Sequence, residues 1–224
     1  RQGLPVIGHG MSVEEITKSV TFGFASLEHF DRYTRAYDDI HQMLAGAGTL
    51  WVPTLEAPWG NVLLLRTEPE RLADPKLRAF IPESSIRIFD NPISNSMLRG
   101  LWADWLAGIQ PAHRRGVRLQ TGSDTHSLVP FPGVALHWEL EHFVEAGLTP
   151  IEVLRIATQQ AAEAVGARDD LGTLEPGKLA DIVLLDKNPL EDIKNTQTIW
   201  RVLKGGWLFD PEKLRPPAPI STPK

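Results

Sequence analysis

Short apolar runs alternate with amphipathic stretches along most of the chain. Leu4 to Gly8 (LPVIG) is one such run and ends at His9. Ser12 and Glu15 make a capping-box pattern that opens a helix from about Val13. A second run, Ala25 to Leu27, ends in Glu28 and His29, and an amphipathic segment from Tyr33 to Leu44 follows it. Gly48 to Leu55 (GTLWVPTL) is a third, β-rich run, and Val117 to Thr121 (VRLQT) is a fourth, ending in Gly122, Ser123 and Asp124. Strands that alternate with helices predict parallel strands joined by crossovers, an α/β arrangement.

Roughly sixty residues separate the third and fourth runs, far beyond an ordinary βα loop, so an elaborated excursion at about 57–116 with helices of its own is expected. After Asp124, Val134 to Ala146 is helical by period. Thr149, Pro150 and Glu152 open a further helix that runs to about Val165, with a cap, a proline at the first position and a glutamate at the third. The character then changes. Gly172 to Gly177 is a turn, Ala180 to Leu185 and Ile199 to Leu203 are strands, and Gly205-Gly206 turns into Trp207 to Phe209. Two units follow: residues 1–169, and a small β unit at 170–224 with a proline-rich tail.

The 224 residues are 42% hydrophobic with a formal net charge of -5, enough for a sizeable core and with charges of both signs mixed along the chain. There is no basic stripe for a phosphate backbone and no polybasic segment for anionic lipid, so neither nucleic acid nor membrane is an expected partner. With no cysteine, disulfides, thiolate ligands and a cysteine nucleophile are excluded. Any metal falls to histidine, carboxylates or a modified lysine. No run of eighteen apolar residues is present, and the chain opens at Arg1, so a soluble protein, cytoplasmic or exported after processing, is expected.

Three potential ligands stand just past strand ends: His9 after VIG, His29 after SLE, and Asp124 after QTGS. In a βα barrel the carboxyl ends of the strands converge on one face, so residues far apart in sequence point at one place. Two neutral imidazoles and a carboxylate suit a borderline divalent ion such as zinc. Singly, each has a plainer reading: a hydrogen-bonded histidine at a strand end, or an aspartate capping a helix. Their shared position favours the metal.

At these residues the chain resembles the amidohydrolase superfamily, in particular its imidazolonepropionase and prolidase-like dipeptidase branch. His9 and the helix opening at Ser12 resemble the fifth-strand histidine motif, Leu27-Glu28-His29 the "siEH" of the sixth, and Thr121-Gly122-Ser123-Asp124 the "GTD" of the eighth. Ala146 to Gly206 is similar to the family's tail almost throughout. The resemblance implies the carboxyl-terminal half of a (β/α)8 TIM barrel with part of a small β-sandwich domain. It further implies a metal-dependent hydrolase of amide, cyclic amide or dipeptide C–N bonds, with His9 and His29 as metal ligands and Asp124 as ligand and catalytic proton carrier. Zinc is the expected ion. The family's first-strand His-x-His pair and fourth-strand lysine have no counterpart in this sequence. A missing amino-terminal half, or a second copy of the chain, is therefore an expected partner beside a small-molecule or dipeptide substrate. The competing reading is a non-catalytic remnant acting as an assembly or binding module.

Among the other residues, His126, Glu56 and Trp59 are candidates for substrate contact, and Trp59, Trp102 and Trp105 of the excursion for a substrate wall or for packing. Trp51 alternates within its strand and is expected in the core. His41, His113, His137 and His142 lie away from strand ends and are expected at the solvated surface.

Overall fold

A computed structural model describes residues 4–10, 12–29, 37–78, 95–125 and 131–214. A four-stranded parallel sheet runs in the order β1-β2-β3-β4, with β1 at Ile7–His9, β2 at Ser26–Glu28, β3 at Leu50–Val52 and β4 at Arg118–Leu119. The parallel order expected from the alternation is present. The paired segments are shorter than the apolar runs that predict them, because each chain leaves the ladder once its backbone turns into the following loop.

Between the strands lie α1 (Val13–Thr21), α2 (Asp38–Ala47), α3 (Asn61–Thr67) and α4 (Asn95–Arg114). The Ser12 hydroxyl accepts the Glu15 N–H at 3.2 Å, closing the cap that starts α1. The residues at 30–36, which include the start of the amphipathic run at Tyr33, lie outside the described residues, and α2 begins at Asp38. The excursion carries α3, a 3-10 turn at Pro69–Ala73 and α4, as its length predicts.

One face of the sheet sets the core. Leu27, Trp51 and Leu119 are register partners across β2, β3 and β4, and all are buried. Ile16 of α1, Ile40 and Leu44 of α2 and Ile109 of α4 pack on them in one apolar cluster. That cluster continues through Phe143 of α5 (Val134–Glu145) to Val153 of α6 (Pro150–Arg155) and Ile156. A π turn at Ile156–Gln160 joins α6 to α7 (Ala161–Ala164), and the Thr149–Glu152 capping box closes the start of α6.

The second sheet is antiparallel: β5 (Ile182–Leu185), β6 (Ile199–Lys204) and β7 (Trp207–Phe209). Gly205 and Gly206, both at positive φ, make the tight turn between the last two. Ile193, buried in the main core, and Thr196, which bonds His137 at 2.9 Å, tie the preceding connection to α5. An ion-pair set reinforces the join: Arg71 grips Glu141 through both guanidinium nitrogens at 3.0 and 2.7 Å, and Lys194 lies 4.0 Å from the same carboxylate. Among the described residues no helix is long and apolar enough to cross a membrane. The proline-rich tail lies outside them.

Candidate active site

The three strand-end residues meet at one edge of the parallel sheet. His9 closes β1 and pairs in register with Glu28, while His29 follows β2 directly and its N–H donates to the Val52 carbonyl at 2.8 Å. The two imidazole rings lie 4.7 Å apart, centroid to centroid. Asp124, beyond β4, brings Oδ2 to 3.9 Å from His29 Nε2. His9 and Asp124 are exposed, and His29 is partly covered.

Two glycines permit this. A Cβ on Gly8 would come within 2.4 Å of the Phe24 ring, and one on Gly122 within 2.6 Å of Val52 Cγ1, so any side chain there would push the strand end, and with it His9 or Asp124, outward. Backbone conformation marks the same place. The non-glycine residues at positive φ among the described ones are His29, Thr54 and Asp124, all on this edge. Thr54, after β3, is β-branched and buried, and it lies hydroxyl to Nδ1 at 2.5 Å from His29.

Behind the edge is a cluster of buried ionisable groups. Glu56 is fully buried, and its Oε2 lies 3.0 Å from His142 Nε2. On the other ring face His142 Nδ1 is 3.4 Å from Glu145, which in turn accepts the Trp102 indole N–H at 2.9 Å. Glu139 accepts the N–H groups of Leu55 and Glu56 at 3.1 and 2.7 Å, doing from a distant helix what a local cap residue does. Burial pushes the Glu139 carboxyl up to about 8, against the pull of His142 and the two N–H donors. Burial alone would lower His142, yet its hydrogen bonds to Glu145 and Glu56 and the charges of Glu56 and Glu139 raise it to about 9. Burial also raises Glu56, with His142 opposing.

The sequence model of the amidohydrolase family matches residues 1–208. The chain belongs to the amidohydrolase family. It is 29% identical over 221 residues to the ochratoxinase of Aspergillus niger, covering 93% of this chain and 38% of that protein. The crystal structure of A. niger ochratoxinase superposes with a TM-score of 0.64 at 28% identity, over 94% of this chain and 42% of that one. A Xaa-Pro dipeptidase crystal structure with methionine bound in the active site shares the fold, with a TM-score of 0.67 at 23% identity over 93% and 45% of the two chains. A 5-methylthioadenosine/S-adenosylhomocysteine deaminase of Bacillus cereus is 30% identical over 112 residues, 49% of this chain and 26% of that protein. The amidohydrolase chain thus spans less than half the length of these relatives.

Several sequence expectations need correction. Glu56 does not face a pocket: the turn after β3 directs it inward onto His142. His41 and His142 are buried and His137 half-buried, so the solvated reading fails for these three; the ion pairs and ring contacts they make across the fold hold them inside. His113 keeps partial exposure beside Glu152 at 3.4 Å. Trp102 packs edge-on against His142 and belongs to the interior, as Trp51 does. Trp105 lines a crevice of about 30 Å³ beside His29, with Trp51, Pro53, Leu55 and Ile109, room for little more than water. His126 and the Trp59 side chain lie outside the described residues. Thr54, Glu139 and His142 are the residues the sequence reading missed.

Two imidazoles and a carboxylate are a chemically suitable donor set for a divalent ion, and here the His9 and His29 rings lie side by side with Asp124 3.9 Å from His29. Among the described residues, no three histidine, aspartate or glutamate side chains converge tightly enough to hold an ion by themselves.

Proposed function

We propose that this chain is the carboxyl-terminal half of a (β/α)8 barrel, with part of a small β-sandwich, in a metal-dependent amidohydrolase that hydrolyses an amide, cyclic amide or dipeptide C–N bond. The observation that carries the reading is the meeting of His9, His29 and Asp124 at the carboxyl edge of the parallel sheet, with 4.7 Å between the rings and 3.9 Å from His29 to Asp124. The relatives support the reaction class, since a dipeptidase and a deaminase both break C–N bonds.

His9 and His29 would hold the ion, zinc by the softness of its preferred donors, with Asp124 beside it. Such an ion, when bound, lowers the pKa of a water and polarises a carbonyl. Asp124 accepts a proton from the attacking water and delivers it to the departing nitrogen, so that a C–O bond forms as the C–N bond breaks. Its position on an open edge suits proton exchange with a substrate, which a buried carboxylate could not reach. The remaining ligands and the far wall of the substrate pocket come from an amino-terminal half or a second copy of the chain.

Elemental analysis of the full-length protein, purified without chelators, is expected to find stoichiometric zinc or a similar divalent ion. A protein free of transition metal that takes up none from zinc chloride would leave the non-catalytic assembly module as the better reading.

A further inference from the structure

The segment after β3 is held from α5 in two ways. Glu139 accepts the N–H groups of Leu55 and Glu56, one on each carboxylate oxygen, and His142 meets the Glu56 side chain at 3.0 Å. The segment needs holding, since it begins at Thr54, a β-branched residue kept at φ +50°.

His142 is the pin of that hold. Its two ring nitrogens face a carboxylate each, Glu56 at 3.0 Å and Glu145 at 3.4 Å, and an ionised carboxylate only accepts. Both contacts are hydrogen bonds at once when both nitrogens carry protons, so the imidazolium fits this pair of partners. A neutral ring would leave one carboxylate without a donor. On the Glu56 side that is a fully buried group whose Oε1 has no hydrogen-bond partner among the described residues. From α4, the Trp102 indole N–H braces Glu145 at 2.9 Å. Glu139 and Glu145 favour the charged ring, while Glu141 and Arg71 act on Glu56 in opposite senses. Glu68 and Arg99 line the hollow of about 250 Å³ that His142 borders. The Glu145 side chain in that hollow is half exposed, so the ring exchanges its proton with solvent while the core stays closed.

We propose that α5 carries a pH-sensitive latch on the segment after β3, closed while His142 is an imidazolium between Glu56 and Glu145 and released when that proton leaves. With His142 raised to about 9, the latch is closed at neutral pH and gives way in alkaline solution. Glu139, raised to about 8, is by then ionised, so it faces Glu56 as a second buried negative charge with no imidazolium beside them. Pro53, Thr54, Leu55 and Ala57 line the crevice beside the strand-end edge, so release displaces one wall of the candidate site. That consequence rests on the reading of the edge as an active site; the latch does not.

The test takes two measurements on the full-length protein across the alkaline range. Long-range 1H–15N spectra of 15N-histidine-labelled protein are expected to show both nitrogens of His142 protonated at neutral pH, with one transition at about 9. Amide hydrogen exchange, corrected for its intrinsic dependence on pH, is expected to show protection at residues 54–57 falling about tenfold per pH unit toward that transition and levelling off above it. Amides of β2 and α2 should keep their protection over the same range. Glu145→Gln, at the half-exposed end of the set, removes one flanking charge and keeps the size. It should lower the His142 transition by about one pH unit or more and loosen residues 54–57 already at neutral pH. Glu145→Asp keeps the charge and should behave as the wild type. A His142 ring that is neutral at pH 7, or protection at 54–57 that changes only together with β2 and α2, would overturn the proposal whatever the protein hydrolyses. The expected transitions in a protein without hydrolase activity would uphold the latch and remove only its bearing on catalysis.

Discussion

Two groups of ionisable side chains stand on either side of the segment that follows β3, and they differ in almost every respect but composition. On the open side, His9, His29 and Asp124 share one edge of the sheet, and His9 and Asp124 are exposed to solvent. On the closed side, Glu56, Glu139 and His142 are buried and bonded to one another or to backbone. Histidine and carboxylate alone therefore do not mark a reactive site. Accessibility and the partners already engaged decide whether such a group is available to a substrate or is committed to holding a loop in place.

The contrast can be broken by mutation. Asp124→Asn keeps a residue that tolerates the positive φ found there and removes the carboxylate proposed to accept the water's proton, so turnover should drop by about 10²- to 10⁴-fold with the melting temperature nearly unchanged. Steady-state kinetics on a panel of amides and dipeptides, beside thermal melts, checks both halves; retained turnover would remove Asp124 from its role. His142→Ala should behave in the opposite sense. Leaving Glu56 buried without its partner costs about 3–5 kcal/mol, visible first in denaturant titrations, whatever happens to catalysis.

A gentler test uses pH. His142 is raised from 6.5 to about 9, so the folded protein holds a proton there that the unfolded chain releases. That stabilisation is complete below about 6.5 and is lost as pH climbs through about 9. Glu139, raised from 4.5 to about 8, acts in the same direction, since its neutral form is favoured only in the fold. Unfolding midpoints should therefore decline from about pH 4.5 through Glu139 and between pH 6.5 and 9 through His142, and His142→Gln should flatten the slope across the upper window.

The open side was largely legible from sequence because its signals are local. Each candidate ligand follows an apolar run by one to three residues, and Gly8 and Gly122, which pack against Phe24 and Val52, sit within two residues of His9 and Asp124. The helix starts at Ser12 and Thr149 were equally plain, being written in residues three apart. The closed side was illegible for the opposite reason. Glu56 and His142 are 86 positions apart, and Glu139 reaches Leu55 across 84. Nothing within a helical turn of His142 distinguishes a histidine that will be buried from one that stays wet. The left-handed turn at Thr54 was likewise hidden, because no glycine or asparagine announces it.

The strand order has a consequence for local opening. β1, β2 and β3 pair with their neighbours in sequence over short crossovers, but β4 must return across the excursion, a connection roughly three times as long and thus about 1 kcal/mol dearer in closure entropy. It then offers the ladder only Arg118–Leu119. Asp124 follows that slender strand, whereas His9 and His29 belong to the part joined by short crossovers. Local opening of β4 would therefore carry Asp124 away while the two imidazoles stay in place.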